Sequence, residues 1–138
     1  MMDQPSVLEL VTAVRDFIEQ RAMPELKGHT AFHARVAANA LGIVVRELGT
    51  GGPSGEAELD RLKKLLCRDG SLMELSRELC ARIRAGAISL DTPGFAEHLT
   101  LTTRDKVGID QPNYSGLRRL LADDARQKPS GSRQNESL

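Results

Sequence analysis

The sequence predicts an all-α protein: an irregular bundle of five or six helices with a disordered C-terminal tail. Three observations carry that class. Apolar residues recur at helical spacing along most of the chain and nowhere alternate long enough for a strand. Two serine-led stretches, "SVLE" at Ser6 and "SLME" at Ser71, have the form of a capping box. Glycine and proline fall where the periodic stretches break.

The first helix starts at Ser6, and Val7, Leu10, Val11, Val14, Phe17 and Ile18 make its apolar stripe. Pro24 is expected to stop it near Ala22 or Met23, because proline cannot donate to the helical ladder. The second helix is expected from about Thr30 to Leu48. Phe32, Val36, Ala37, Ala40, Leu41, Ile43, Val44, Val45 and Leu48 cover well over half of its circumference. The remainder is one narrow line of Arg35, Asn39, Gly42 and Arg46. A helix so apolar is expected at the centre of the fold, packed on most sides.

Gly49 is expected to end the second helix, leaving "GTGGPSG" as a flexible surface loop. A third helix follows over about Gly55 to Cys67, with Leu59, Leu62, Leu65 and Leu66 as its apolar positions. The fourth opens at the Ser71 box and reaches about Ala85, with Leu72, Leu75, Leu79 and Ile83 in line. Glu78 and Arg82 take the favourable i,i+4 order on its outer side. For the fifth, Thr92 reads as N-cap and Pro93 as the first helical residue. That helix runs to about Ile109 and is closed by Pro112, which biases Gln111 away from the helical region. A last short helix is expected over Ser115 to Asp124, so residues 1–124 form one helical domain and 125–138 a disordered tail.

Composition narrows the function classes. The 19 basic residues balance 19 acidic ones, which removes the electrostatic case for a nucleic acid or anionic membrane partner. Aromatic residues make up 3% of the chain, too few for a base-stacking surface. No run reaches the roughly 18 apolar residues of a membrane helix, and "MMDQPS" lacks the pattern of an export signal. Cys67 and Cys80 show no CxxC spacing and read as reduced, partly buried thiols of a cytoplasmic protein.

Catalytic signatures are missing as well. No GxSxG, GxGxxG or GxxxxGK[ST] motif occurs. His29 and His33 have the i,i+4 spacing of a metal clamp but no third ligand beside them, so His33 reads as a buried, hydrogen-bonded imidazole and no metal or cofactor is implied. The candidate polar group combines Arg35 and Asn39 of the second helix with Lys106, Asp110 and Tyr114 of the fifth helix and its exit. Lys106 shares a helical phase with Phe95 and Leu99, and its stem is expected to lie buried between those helices. Asp105, Asp110 or carbonyls of the "IDQPNY" bend would then hold its ammonium. Such a group either staples two helices together or forms an anion or acyl-group pocket.

Three blocks, "FHARVAANALGIVVREL", "ELSRELCARIRAG" and "RDKVGIDQPNY", resemble a small bacterial family of uncharacterised helical proteins. The resemblance spans about residues 3–114. It implies a genomic setting beside, or fused to, aminoglycoside-phosphotransferase-like kinases and acyl-CoA dehydrogenases, and it transfers no activity. The leading expectation is a non-catalytic accessory module that binds such a phosphotransferase-like or acyl-CoA dehydrogenase-like protein, or pairs with itself as a homo-oligomer. The rival is a small-molecule binder or weak enzyme for an acyl or phosphorylated metabolite, with its pocket around Arg35, Asn39 and Lys106.

Overall fold

The computed structural model describes residues 4–127. Among them the chain forms five helices and no strand, as the periodicity predicts. Helix α1 runs over Val7–Phe17, continues through a π-helical turn at Ile18–Ala22 and closes with Met23–Glu25. Helix α2 comprises Gly28–Arg46, a π-helical turn at Glu47–Gly51 and Gly52–Leu66. Helices α3 (Leu72–Arg84), α4 (Phe95–Asp110) and α5 (Ser115–Gln127) follow. Ala125 to Gln127 are thus the last turn of α5 rather than the start of a tail, and residues 128–138 lie outside the described residues.

The largest departure from expectation is "GTGGPSG". It is neither a loop nor a helix end: Glu47, Gly51 and Gly52 all keep right-handed helical backbone, so the expected second and third helices are one. Proline offers no N–H, and its ring crowds the carbonyl one turn back. A π turn spaces that carbonyl one residue further away and so lets the helix pass the proline. Both π turns sit just ahead of a proline, Pro24 in α1 and Pro53 in α2. In α2 the Thr50 hydroxyl also donates to the Arg46 carbonyl at 2.8 Å, occupying an acceptor in the widened turn.

Local start signals behave as the residue types require. Ser6 and Ser71 each accept from the amide of the residue three on, at 3.3 Å, while Glu9 and Glu74 take the serine amides at 2.7 and 2.9 Å. Those donors hold both glutamate carboxyls below the ordinary range. Glu78 bridges Arg82 and Arg68, which lowers its pKa in the same way. Thr92, by contrast, is not the cap of α4. Gly94 takes that place in the left-handed region at φ 81°, which ends any helical run from Pro93 and restarts it at Phe95.

Packing divides unevenly along α2. Its second half, α3, the following link and the start of α4 enclose the core of Leu62, Leu66, Leu75, Leu79, Ile88 and Phe95. Leu62 and Leu75 are wholly buried. The first half of α2 pairs with α1 as a helical hairpin that buries only Ala38 and Gly42. The expectation of a central helix packed on most sides therefore fails for Gly28–Arg46: Phe32 is 62% exposed, and Val36 and Val44 are also exposed. Helix α4 runs antiparallel to α2 across the π turn. Arg61 reaches Thr102 (3.3 Å) and Asp105 (3.9 Å), Lys106 meets Glu58 (3.5 Å) and Arg46 meets Ile109 (2.5 Å).

His98 of α4 is 4% exposed and its Nδ1 has no hydrogen-bond partner. Burial, then the nearby Arg61 charge, push its pKa down; Glu58 opposes this weakly and Lys106 adds to it. The folded protein therefore holds a neutral imidazole, whereas the unfolded chain binds a proton below pH of about 6.5. Stability should be flat above that value and fall as pH drops through it. Urea melts at pH 7.5 and 5.5 test this, because the lowered carboxyls of Glu9, Glu74 and Glu78 titrate below that window. The loss should vanish in His98→Leu; an unchanged slope in that variant would assign it elsewhere.

A Cβ at Gly52 or Gly55 would meet nothing within 4 Å. Because both residues are helical, Gly52→Ala and Gly55→Ala should each stabilise by about 0.5–1 kcal/mol in urea melts. No gain at either site would mean that the segment is not helical.

Candidate functional site

The end of α4 and the bend after it lean on the first half of α2. The Arg46 guanidinium caps α4: its Nε donates to the Ile109 carbonyl (2.5 Å) and its Nη2 to the Asp110 carbonyl (3.4 Å). Carbonyls of a last helical turn lack intrahelical donors, so a cation there satisfies both hydrogen bonding and the helix dipole. The chain then folds back through Tyr114, whose amide donates to the Gln111 carbonyl (2.9 Å) and whose own carbonyl accepts from Arg118 to open α5 (3.1 Å). Gly116 gives the Tyr114 ring its room, since a Cβ there would stand 2.6 Å from Cε1.

Between this bend and the α1–α2 hairpin lies a cavity of about 540 Å³. Asn39 and Arg46, two turns apart on α2, form one wall; Arg15 and Glu19 of α1 form another; Asp110, Gln111 and Tyr114 close it. Arg15 pairs with its neighbour Asp16 at 2.7 Å. Of the five residues expected to form a polar group, the fold brings together Asn39, Asp110 and Tyr114. Arg35 and Lys106 do not line this cavity.

Lys106 has the expected helical phase, yet its side chain is 69% exposed and faces Glu58 at 3.5 Å. The reason is what stands opposite. At the Phe95 end of α4 that line meets Leu62 and Leu66, whereas at Lys106 it meets a cavity of about 270 Å³ edged by Gly51, Ser54 and Gly55, which offer little side chain to cover it. Asp105 pairs with Arg61 and Arg104 instead, and Asp110 is engaged through its backbone. Arg46 belongs to the polar line of α2 that the spacing marks together with Asn39, and of the arginines on that line it is the one that reaches the end of α4. Arg15 and Glu19 of α1 carry no such signal in the sequence.

A second, apolar groove of about 380 Å³ runs between α4 and α5 along Leu99, Val107, Leu117 and Leu120. Tyr114 lines this groove as well as the polar cavity. The other residues singled out earlier are dispersed. His29 and His33 are exposed, with stacked rings 6.1 Å apart, so the buried imidazole is His98 and not His33. Cys67 and Cys80 are both exposed and free. Among the described residues no group of three metal-ligating side chains occurs, and no helix is long and apolar enough to cross a membrane.

The hairpin carries a different kind of feature. On α1 the half-buried residues Val11, Arg15, Ile18 and Ala22 form the side turned to α2. Val7, Leu10, Val14 and Phe17 form a second line at the three-and-four spacing of a helix-packing seam, and all four are exposed, Phe17 by 62%. On α2 the exposed Ala37, Ala40, Val44 and Leu48 repeat that spacing. At about 100° per residue both seams turn to the side of the hairpin opposite the polar cavity.

No curated protein and no solved structure matches the chain. A domain of unknown function (DUF6285) matches residues 24–114, which takes in all of α2, α3 and α4 and the α2 and bend walls of the polar cavity, but not Arg15 and Glu19 of α1. The chain belongs to the DUF6285 family.

Proposed function

We propose that the protein is a non-catalytic helical assembly module whose α1–α2 hairpin pairs with the hairpin of a second copy. The observation behind this reading is the pair of exposed apolar seams. Val7, Leu10, Val14, Phe17, Val44 and Leu48 present on the order of 500 Å² of surface, to which the exposed Ala37 and Ala40 add. A standard protein interface buries roughly 800 Å² per partner, so these seams with their polar rim supply the greater part of one. Two such hairpins facing each other complete a four-helix bundle, the arrangement in which helical seams are buried on all sides. The hairpin itself buries only Ala38 and Gly42, so a partner supplies the core that α1 lacks.

A catalytic reading has less support. Among the described residues the one buried titratable side chain, His98, borders none of the cavities described above. A phosphotransferase-like or acyl-CoA dehydrogenase-like partner would use the same seams, and the experiment separates the two occupants. Light scattering at about 100 μM should give twice the 15.1 kDa chain mass. Val14→Glu and Phe17→Glu should each give a monomer with unchanged helical circular dichroism, since neither side chain is buried. A wild-type monomer at several hundred micromolar overturns self-pairing. A wild-type monomer that forms a complex with such an enzyme, lost in Phe17→Glu, assigns the seams to that partner instead.

A further inference from the structure

We propose that the polar cavity and the apolar groove on either side of Tyr114 form one amphipathic binding site for a medium-chain alkyl compound with an uncharged, amide-type head. The two cavities share the Tyr114 ring as their common wall. Each has a volume in the range of small-molecule sites, about 540 and 380 Å³. They place a polar chamber and an apolar channel on the two sides of one ring, which is the order of polar and apolar parts in an amphiphile.

The head follows from the chamber's charges. Arg15 and Glu19 share one wall, Arg46 meets the Asp110 end of α4 at another, and Arg15 is already paired with Asp16. That balance gives no surplus of positive charge for a phosphate or carboxylate. What the chamber does offer is hydrogen bonding of both senses. Arg46 uses Nε and Nη2 on the α4 carbonyls, and Nη1 has no partner among the described residues. Asn39 adds a side-chain amide able to donate and accept, and Gln111, which gives one N–H to Asp110 Oδ2 at 3.4 Å, keeps its carbonyl and second N–H. A carboxamide matches such a lining at both its carbonyl and its N–H.

The tail follows from the groove. Leu99, Val107, Leu117 and Leu120 line it, and Leu99 and Leu120 keep more than a third of their surface in water. An alkyl chain laid along them removes that surface from solvent. The protein's own C-terminal residues, "KPSGSRQNESL", have no apolar run to fill it. Gly116 is what sets the partition, because any side chain there would push the Tyr114 ring out of its place between head and tail.

The test is a titration of the full chain with octanamide, octanoate and octylamine, followed by calorimetry and amide chemical shifts. Octanamide should bind at least fivefold more tightly than either charged analogue, with shifts centred on Val107, Tyr114 and Leu117. Leu120→Gln and Asn39→Leu, both at exposed positions, should each weaken it about fivefold or more without changing the melting temperature. No binding up to millimolar octanamide overturns the site. Octanoate binding as tightly as octanamide overturns the uncharged head. Shifts confined to Val7, Val14 and Phe17 would assign the binding to the hairpin seam and likewise overturn the site, while leaving the pairing of hairpins untouched.

Discussion

The structure depends on the passage of one helix through Pro53. Gly28–Arg46 holds α1, and Gly52–Leu66 holds the core of α3 and α4. A break between them would leave a hairpin with almost no interior beside a compact leucine cluster. The π turn at Glu47–Gly51 prevents that break by widening the helix where proline withholds its N–H. The same device carries α1 past Pro24. Helix α4 then acts as a splint: it touches α2 from Arg61 to Arg46 and so spans the widened turn.

Both proposed sites lie at surfaces and clefts, outside the leucine core. The leucine core is closed, and its one imidazole is a desolvated, neutral group. Polar side chains gather instead where α4 ends against α2, because the last carbonyls of a helix need donors and Arg46 is there to supply them. Apolar side chains remain exposed on the α1–α2 hairpin, because its buried positions on α2 are the small Ala38 and Gly42 while the larger Val14, Phe17 and Val36 stand on the outside.

Much of this was readable from residue types alone. Both capping boxes, the Leu75–Leu79 stripe and the Glu78–Arg82 pair are local features, decided by neighbours a turn away, and they stand where the spacing put them. Tertiary context decided the rest. Four glycines and a proline within Gly49–Gly55 carry every local mark of a loop, and only packing on both flanks keeps them helical. Helical periodicity showed that α2 is apolar on most sides but not which side would be covered; the small residues Ala38 and Gly42 were covered, and Phe32 was not. The polar group was seen in part. Asn39, Asp110 and Tyr114 converge because the bend at Gln111 returns the chain to α2, whereas Arg35 and Lys106 do not line that cavity and Lys106 meets Glu58 instead.

The most direct test is a distance along α2. Spin labels at the exposed positions Arg35 and Lys64 flank the widened turn. A continuous helix at about 1.5 Å per residue separates them by roughly 40–45 Å. Pulsed electron paramagnetic resonance should give one narrow distribution in that range, unchanged in Pro53→Ala. A broad distribution centred well below it would show that α2 is broken at its glycines, and the account built on its continuity would fail.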